Sequence, residues 1–120
     1  MNNKEFGKTL ELRTRKFAVA IIKLSISLPK TEEGRVLKNQ ITKSGTSVGA
    51  NYREANRSRS KADFLNKIKI SESEGSETVY WLEIISDLKW LDKEIIDKAL
   101  KEANELLAIF SSISFNTKKK

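Results

Sequence analysis

Apolar residues recur at three- and four-residue steps along most of this chain, which is the period of an amphipathic helix. Leu10, Phe17, Ile21, Leu24 and Leu28, widened by Ala18 and Ile22, predict a first helix over 9–28. Pro29 biases the residue before it away from helical angles and ends that helix. Thr31 is a good N-cap, followed by Glu32 and Glu33 where the helix dipole favours acids. A second helix over 31–57 runs through Val36, Leu37 and Ile41 into SGTSVGANYREANRSRS (44–60). By composition this stretch is a loop, yet Gly45, Val48, Tyr52 and Ala55 keep helical spacing. A third helix over 60–88 opens on Ser60, with Asp63 three residues on as in a capping box, and buries Phe64, Leu65, Ile68, Val79, Leu82 and Ile85. Leu91 and Ile96 can staple around an Asp92 N-cap to start a fourth helix over 92–114. Its stripe is Ile96, Ala99, Leu100, Ala103, Leu106, Leu107, Phe110 and Ile113, and residues 115–120 read as a solvated basic tail. No stretch alternates with period two for long. The expected fold is all-α: a single domain over 1–120, built as an antiparallel up-and-down four-helix bundle.

Composition narrows the chemistry more than the fold. The 120 residues are 38% apolar and 32% charged, a globular balance able to bury a core. There is no cysteine and no histidine, which removes disulfides, thiolate metal sites and the commonest general base. The serines therefore lack a base to activate them, and no enzymatic activity, catalytic residue or cofactor is expected. No apolar run approaches the ~20 residues of a membrane span, and the start MNNKEFGKTL lacks a signal peptide's apolar region. A cytoplasmic protein without membrane contact is expected.

The net charge of +7 is uneven. Residues 1–30 carry seven Lys/Arg against two acids and residues 31–60 six against three, whereas 61–91 carry four against six. Arg53, Arg57, Arg59 and Lys61 form the densest positive cluster, and Arg13, Arg15 and Lys16 a second. Either is a candidate phosphate-binding surface, since arginine matches phosphate geometry bidentately; a solvated face or an inter-subunit ion-pair surface is the alternative. No RNA-binding motif is present, so RNA contact would be driven by the phosphate backbone.

Gly45, Gly49 and Gly75 fall inside predicted helices at a combined propensity cost of about 2–3 kcal/mol, which close helix packing would offset. Acids gather at Glu54, Glu72, Glu74 and Glu77. Di-iron bundles need Glu-x-x-His pairs, which this chain lacks; a carboxylate-only Mg²⁺ or Mn²⁺ site stands against solvated or ion-paired acids, and no metal is expected. Asn51, Glu54 and Glu77 are expected to form a hydrogen-bonded polar layer that fixes helix register.

The segment QITKSGTSVGANYREANRSRSKADFLNKIKISESEGSETVYWLEI resembles the signature of the four-helix-bundle family of 23S ribosomal RNA intervening-sequence proteins. The matching positions include Gln40, Ile41, Ser44, Ser47, Val48, Asn51, Glu54, Ser60, Phe64, Glu77, Tyr80, Trp81 and Leu82, with Phe17 and Pro29 upstream. The resemblance implies a bundle that assembles into a homopentamer, without known catalytic activity. It also implies kinship with the accessory variability determinant of diversity-generating retroelements, which binds a reverse transcriptase and nucleic acid. Two functions stand as expectations: a self-assembling bundle presenting a basic surface to RNA or a reverse-transcriptase-like nucleoprotein, or an interaction module whose partner is another protein.

Overall fold

A computed structural model describes residues 3–119. They form four helices: α1 (Asn3–Ile26), α2 (Glu32–Ala55), α3 (Lys61–Leu88) and α4 (Lys93–Lys119). Each packs on its chain neighbours, and α4 closes back on α1 through the thinnest of the four seams; α1 and α3, like α2 and α4, stand on diagonals. This is the up-and-down bundle the periodicity predicts. The molecule measures 46 × 25 × 20 Å, its length set by the 28-residue α3 at about 1.5 Å per residue.

The core follows the predicted stripe: Phe17, Ile21, Ile41, Val48, Ile68, Leu82, Ile85, Leu106 and Phe110 are buried, whereas Ile22, expected to widen the stripe of α1, faces outward at 40% exposure. Tyr52 joins them, its ring edge-on to Phe110 with centroids 5.4 Å apart. Burial raises the Tyr52 phenol above its ordinary value, an effect opposed by its hydrogen bond with Asn56.

The helix starts follow local chemistry. Thr31 holds an extended backbone, and its hydroxyl accepts from the Gly34 N–H at 3.0 Å. Ser60 accepts from the Asp63 N–H at 3.1 Å in the same way. Before α4 the Asp92 backbone carbonyl receives the Ile95 and Ile96 N–H groups at 3.1 and 3.2 Å. Its carboxylate makes no capping bond among the described residues, so the expected side-chain cap at this position is absent. Lys89 ends α3 in the left-handed conformation, φ 57° and ψ 36°.

Two boundaries differ from the sequence reading by more than two residues. Helix α1 begins at Asn3 rather than near residue 9, with Phe6 extending its apolar positions one turn and more toward the N-terminus. Helix α4 continues through 115–119, where a solvated tail is expected; Lys120 lies outside the described residues. Nothing in FNTKK breaks a helix. The Thr117 hydroxyl donates to the Ile113 carbonyl at 2.7 Å, and the Lys119 ammonium sits 4.7 Å from the Phe115 ring centroid. Lys118 and Lys119 also complement the C-terminal dipole.

Candidate nucleic-acid interface

The glycines of α2 bring it close to α1. A methyl group at Gly45 would lie 2.8 Å from Ile21 Cγ2, and one at Gly49 would lie 2.9 Å from Thr14 Oγ1. Both positions act as the close contacts expected of them. Gly75 does not: a methyl there would meet Leu107 at 3.8 Å, an ordinary van der Waals separation. Gly34 is tightest of all, because an added methyl would fall 1.8 Å from the Pro29 carbonyl oxygen. Sequence reasoning missed this position, although a glycine three residues after Thr31 and five after Pro29 was a signal.

Along the Thr14–Gly49 approach, the α1–α2 seam holds an open groove of about 340 Å³. Lys8 and Arg15 line it from α1 and Arg53 from α2, with Glu11 the acid among them. Glu11 is engaged at the groove's end: it accepts from Asn56 Nδ2 at 2.8 Å and lies 3.9 Å from Arg57. Arg57 also donates to the Arg53 carbonyl, so it caps its own helix while leaning toward Glu11. The fold thus joins the two basic clusters through Arg15, Arg53 and Arg57. Arg59 and Lys61 are exposed around the following turn, but Lys16, expected in the same cluster as Arg15, lines the α1–α4 groove instead.

Arg13 does not belong to this surface. Its guanidinium forms a fork on Glu102 at 2.8 and 2.5 Å and reaches Glu105 at 3.1 Å, tying α1 to α4. The Glu102 hydrogen bonds raise its pKa further above the ordinary arginine value, against the opposing effect of desolvation. The ion pair across the α1–α4 seam consumes a cation that otherwise reads as free for phosphate.

Nor do Asn51, Glu54 and Glu77 form a layer. Asn51 donates to the Ser47 carbonyl and Glu77 accepts from Trp81 Nε1, each within its own helix, while Glu54 is exposed. The polar layer of this bundle is made of hydroxyls. Thr78 donates to the Ser44 hydroxyl at 2.9 Å and Ser71 to the Val48 carbonyl at 2.9 Å, both buried between α2 and α3. Helices this close leave room for a hydroxyl but not for an amide or carboxylate. Among the described residues no group of three or more carboxylates stands together as a metal site, and no helix is long and apolar enough to cross a membrane.

The architecture defines an all-α, up-and-down four-helix bundle with a basic groove along one seam. Residues 11–112 match the family model of the 23S rRNA-intervening sequence protein. With that match spanning most of its length, the chain belongs to this family. A solved structure supports the placement: a protein of unknown function from the S23 ribosomal protein family of Bacteroides thetaiotaomicron is 36% identical. The alignment covers 87% of this chain and 96% of that one, with a TM-score of 0.81. No curated protein matches the chain.

Proposed function

We propose that this protein is a non-enzymatic, self-assembling bundle that presents its α1–α2 groove to the phosphate backbone of RNA or of a nucleoprotein. The observation that carries the reading is the convergence of Lys8, Arg15 and Arg53 in one groove from two helices, with a single acid that is already engaged. A concave, cation-lined seam tracks a phosphate backbone without reading base edges, so affinity would be salt-dependent and weakly sequence-specific. Self-association, pentameric by the family resemblance, would repeat the groove on each copy and raise avidity for a long polyanion.

Fluorescence anisotropy with a structured RNA, titrated over a range of salt, tests this. Changing Lys8, Arg15 and Arg53 to alanine should flatten the dependence of log K on log salt by about 2, from the loss of roughly three phosphate contacts. Lys93→Ala, at an exposed residue paired with Asp97, should leave the slope unchanged. No binding at low salt would reject the RNA reading. The second reading, a module whose partner is another protein, would then stand on the exposed aliphatic residues Val19, Ile26 and Val36, which are 48%, 61% and 53% exposed.

A further inference from the structure

Helix α3 carries a second stripe, of apolar residues and two acids, that flanks its inner one about 100° round the helix. The inner one is Phe64, Ile68, Ser71, Gly75, Thr78, Leu82 and Ile85. The outer one is Ile70, Glu74, Glu77, Trp81, Ile84 and Leu88, also at alternating steps of four and three. Its ends, Ile70 and Leu88, are 41% and 46% exposed, and Tyr80, 55% exposed, packs against Trp81 with ring centroids 5.2 Å apart. At about 1.5 Å per residue, the outer stripe forms a ridge roughly 27 Å long. Among the described residues its two acids form no salt bridge. Burial, then the neighbouring Glu77 carboxylate, raise the Glu74 carboxyl above its usual range, with Lys43 pulling the other way.

The thin α1–α4 seam offers the complement. It opens into a groove of about 850 Å³ whose floor is apolar, built on Phe17, Ala20, Leu24, Ile95 and Ala99. Lys16, Lys23, Lys98 and Lys101 stand around it, and among the described residues none of them is in a salt bridge. The groove's own acids, Glu102 and Glu105, are already held by Arg13, so its uncompensated charge is positive. Ridge and groove thus differ in shape and in sign of charge, and they belong to different sides of one bundle.

We propose that the outer ridge of α3 in one copy docks in the α1–α4 groove of another, with Glu74 and Glu77 meeting the groove's lysines. This rests on the self-association stated above and assigns the faces that meet. Because the two faces differ, the contact is heterologous and propagates head to tail until it closes into a ring. It recognises its partner as a helix in a groove, with rim charges fixing the choice of partner. The contact leaves the α1–α2 groove free on each copy.

The chain has no cysteine, so introduced thiols report the contact without background. Ala20→Cys marks the groove, while Ile70→Cys and Leu88→Cys mark the two ends of the ridge and cover both helix directions. With a short bismaleimide, one of the two double variants, Ala20→Cys with Ile70→Cys or with Leu88→Cys, should give a ladder of dimers and higher species. Each single variant should remain uncross-linked. Independently, Lys98→Glu with Lys101→Glu should weaken association at least tenfold by light scattering, and adding Glu74→Lys and Glu77→Lys to the same chain should restore it. If the native protein associates but neither double variant forms a ladder, or a single variant links to itself, the assignment of faces is wrong while self-association stands. A native protein that is monomeric at micromolar concentration overturns both.

Discussion

The closest approach of α1 and α2 within the core makes a quantitative demand on Gly45. Replacing it with alanine adds one methyl in a helix interior, which by propensity alone stabilises by about 1 kcal/mol. That methyl would lie 2.8 Å from Cγ2 and 3.1 Å from both Cβ and Cγ1 of Ile21. Three carbons of one β-branched side chain are met at once, and such a side chain has essentially one χ1 well in a helix. Ile21 is fully buried, so it cannot swing into solvent. The helices must separate by several tenths of an ångström, and overpacking of this kind costs about 1–3 kcal/mol. The net expectation for Gly45→Ala is a loss of about 0–2 kcal/mol.

Gly75→Ala is the internal control, because its methyl would meet Leu107 at 3.8–3.9 Å without displacement. It should keep the propensity gain of about 1 kcal/mol. For a domain of this size, 1 kcal/mol moves Tm by about 4 °C. Thermal unfolding followed by circular dichroism, at one fixed protein concentration because association itself stabilises, should therefore place Gly75→Ala above the native protein and Gly45→Ala at or below it. If Gly45→Ala melted as high as Gly75→Ala, the close approach of α1 and α2 would not be a constraint, and the account of these glycines would be wrong.

Three further outcomes are expected. Glu74 has a folded-state pKa raised above the unfolded value of about 4.3, so its charged form is disfavoured in the fold: stability is highest below that value and falls as pH rises through it. Glu74→Gln should thus melt like the native protein at pH 3.5 and higher at pH 7, in dilute samples that keep the chain monomeric; a lower melting point at pH 7 would contradict the assignment. Thr42 Oγ1 is a buried hydroxyl with no hydrogen-bond partner among the described residues, so Thr42→Val should be neutral or stabilise by up to about 1 kcal/mol in urea unfolding, where an interior hydroxyl with a hidden partner would instead give a loss. Lys89 holds a left-handed backbone that costs a side-chain-bearing residue about 1 kcal/mol, and Lys89→Gly should recover about 0.5 kcal/mol of it after the larger entropy of the unfolded glycine is subtracted.

How much of this molecule could be read from its sequence depends on the distance over which each feature is determined. Helix stripes and the Thr31 and Ser60 caps are set within a few residues, and the structure has them where the spacing puts them. The Arg13 fork is set by ring closure: its partners lie 89 and 92 residues away, and only the return of α4 to α1 brings them together. No local pattern distinguishes that arginine from Arg15, which stays in the basic groove. The polar layer is the instructive case, because a usable signal was present and pointed elsewhere. Ser44, Ser71 and Thr78 fall in step with Ile41 and Val48 on α2, and with Ile68, Gly75 and Leu82 on α3, so the helical period alone assigns their hydroxyls to the core. Glu54 and Glu77 are out of that step, on faces where a carboxylate meets water or its own helix, whereas Asn51 keeps step with Ser44 and Val48 but sits half-buried at the edge of the stripe, its amide turned back to the Ser47 carbonyl. The size and hydrogen-bonding capacity of a side chain indicate what it could do in a core; its phase along the helix decides whether it is there. The same phase argument leaves Ile70, Trp81, Ile84 and Leu88 off the inner stripe of α3 and in step with one another: Trp81 packs on the edge of the core and Ile84 is half-buried, while Ile70 and Leu88 stay exposed at the two ends.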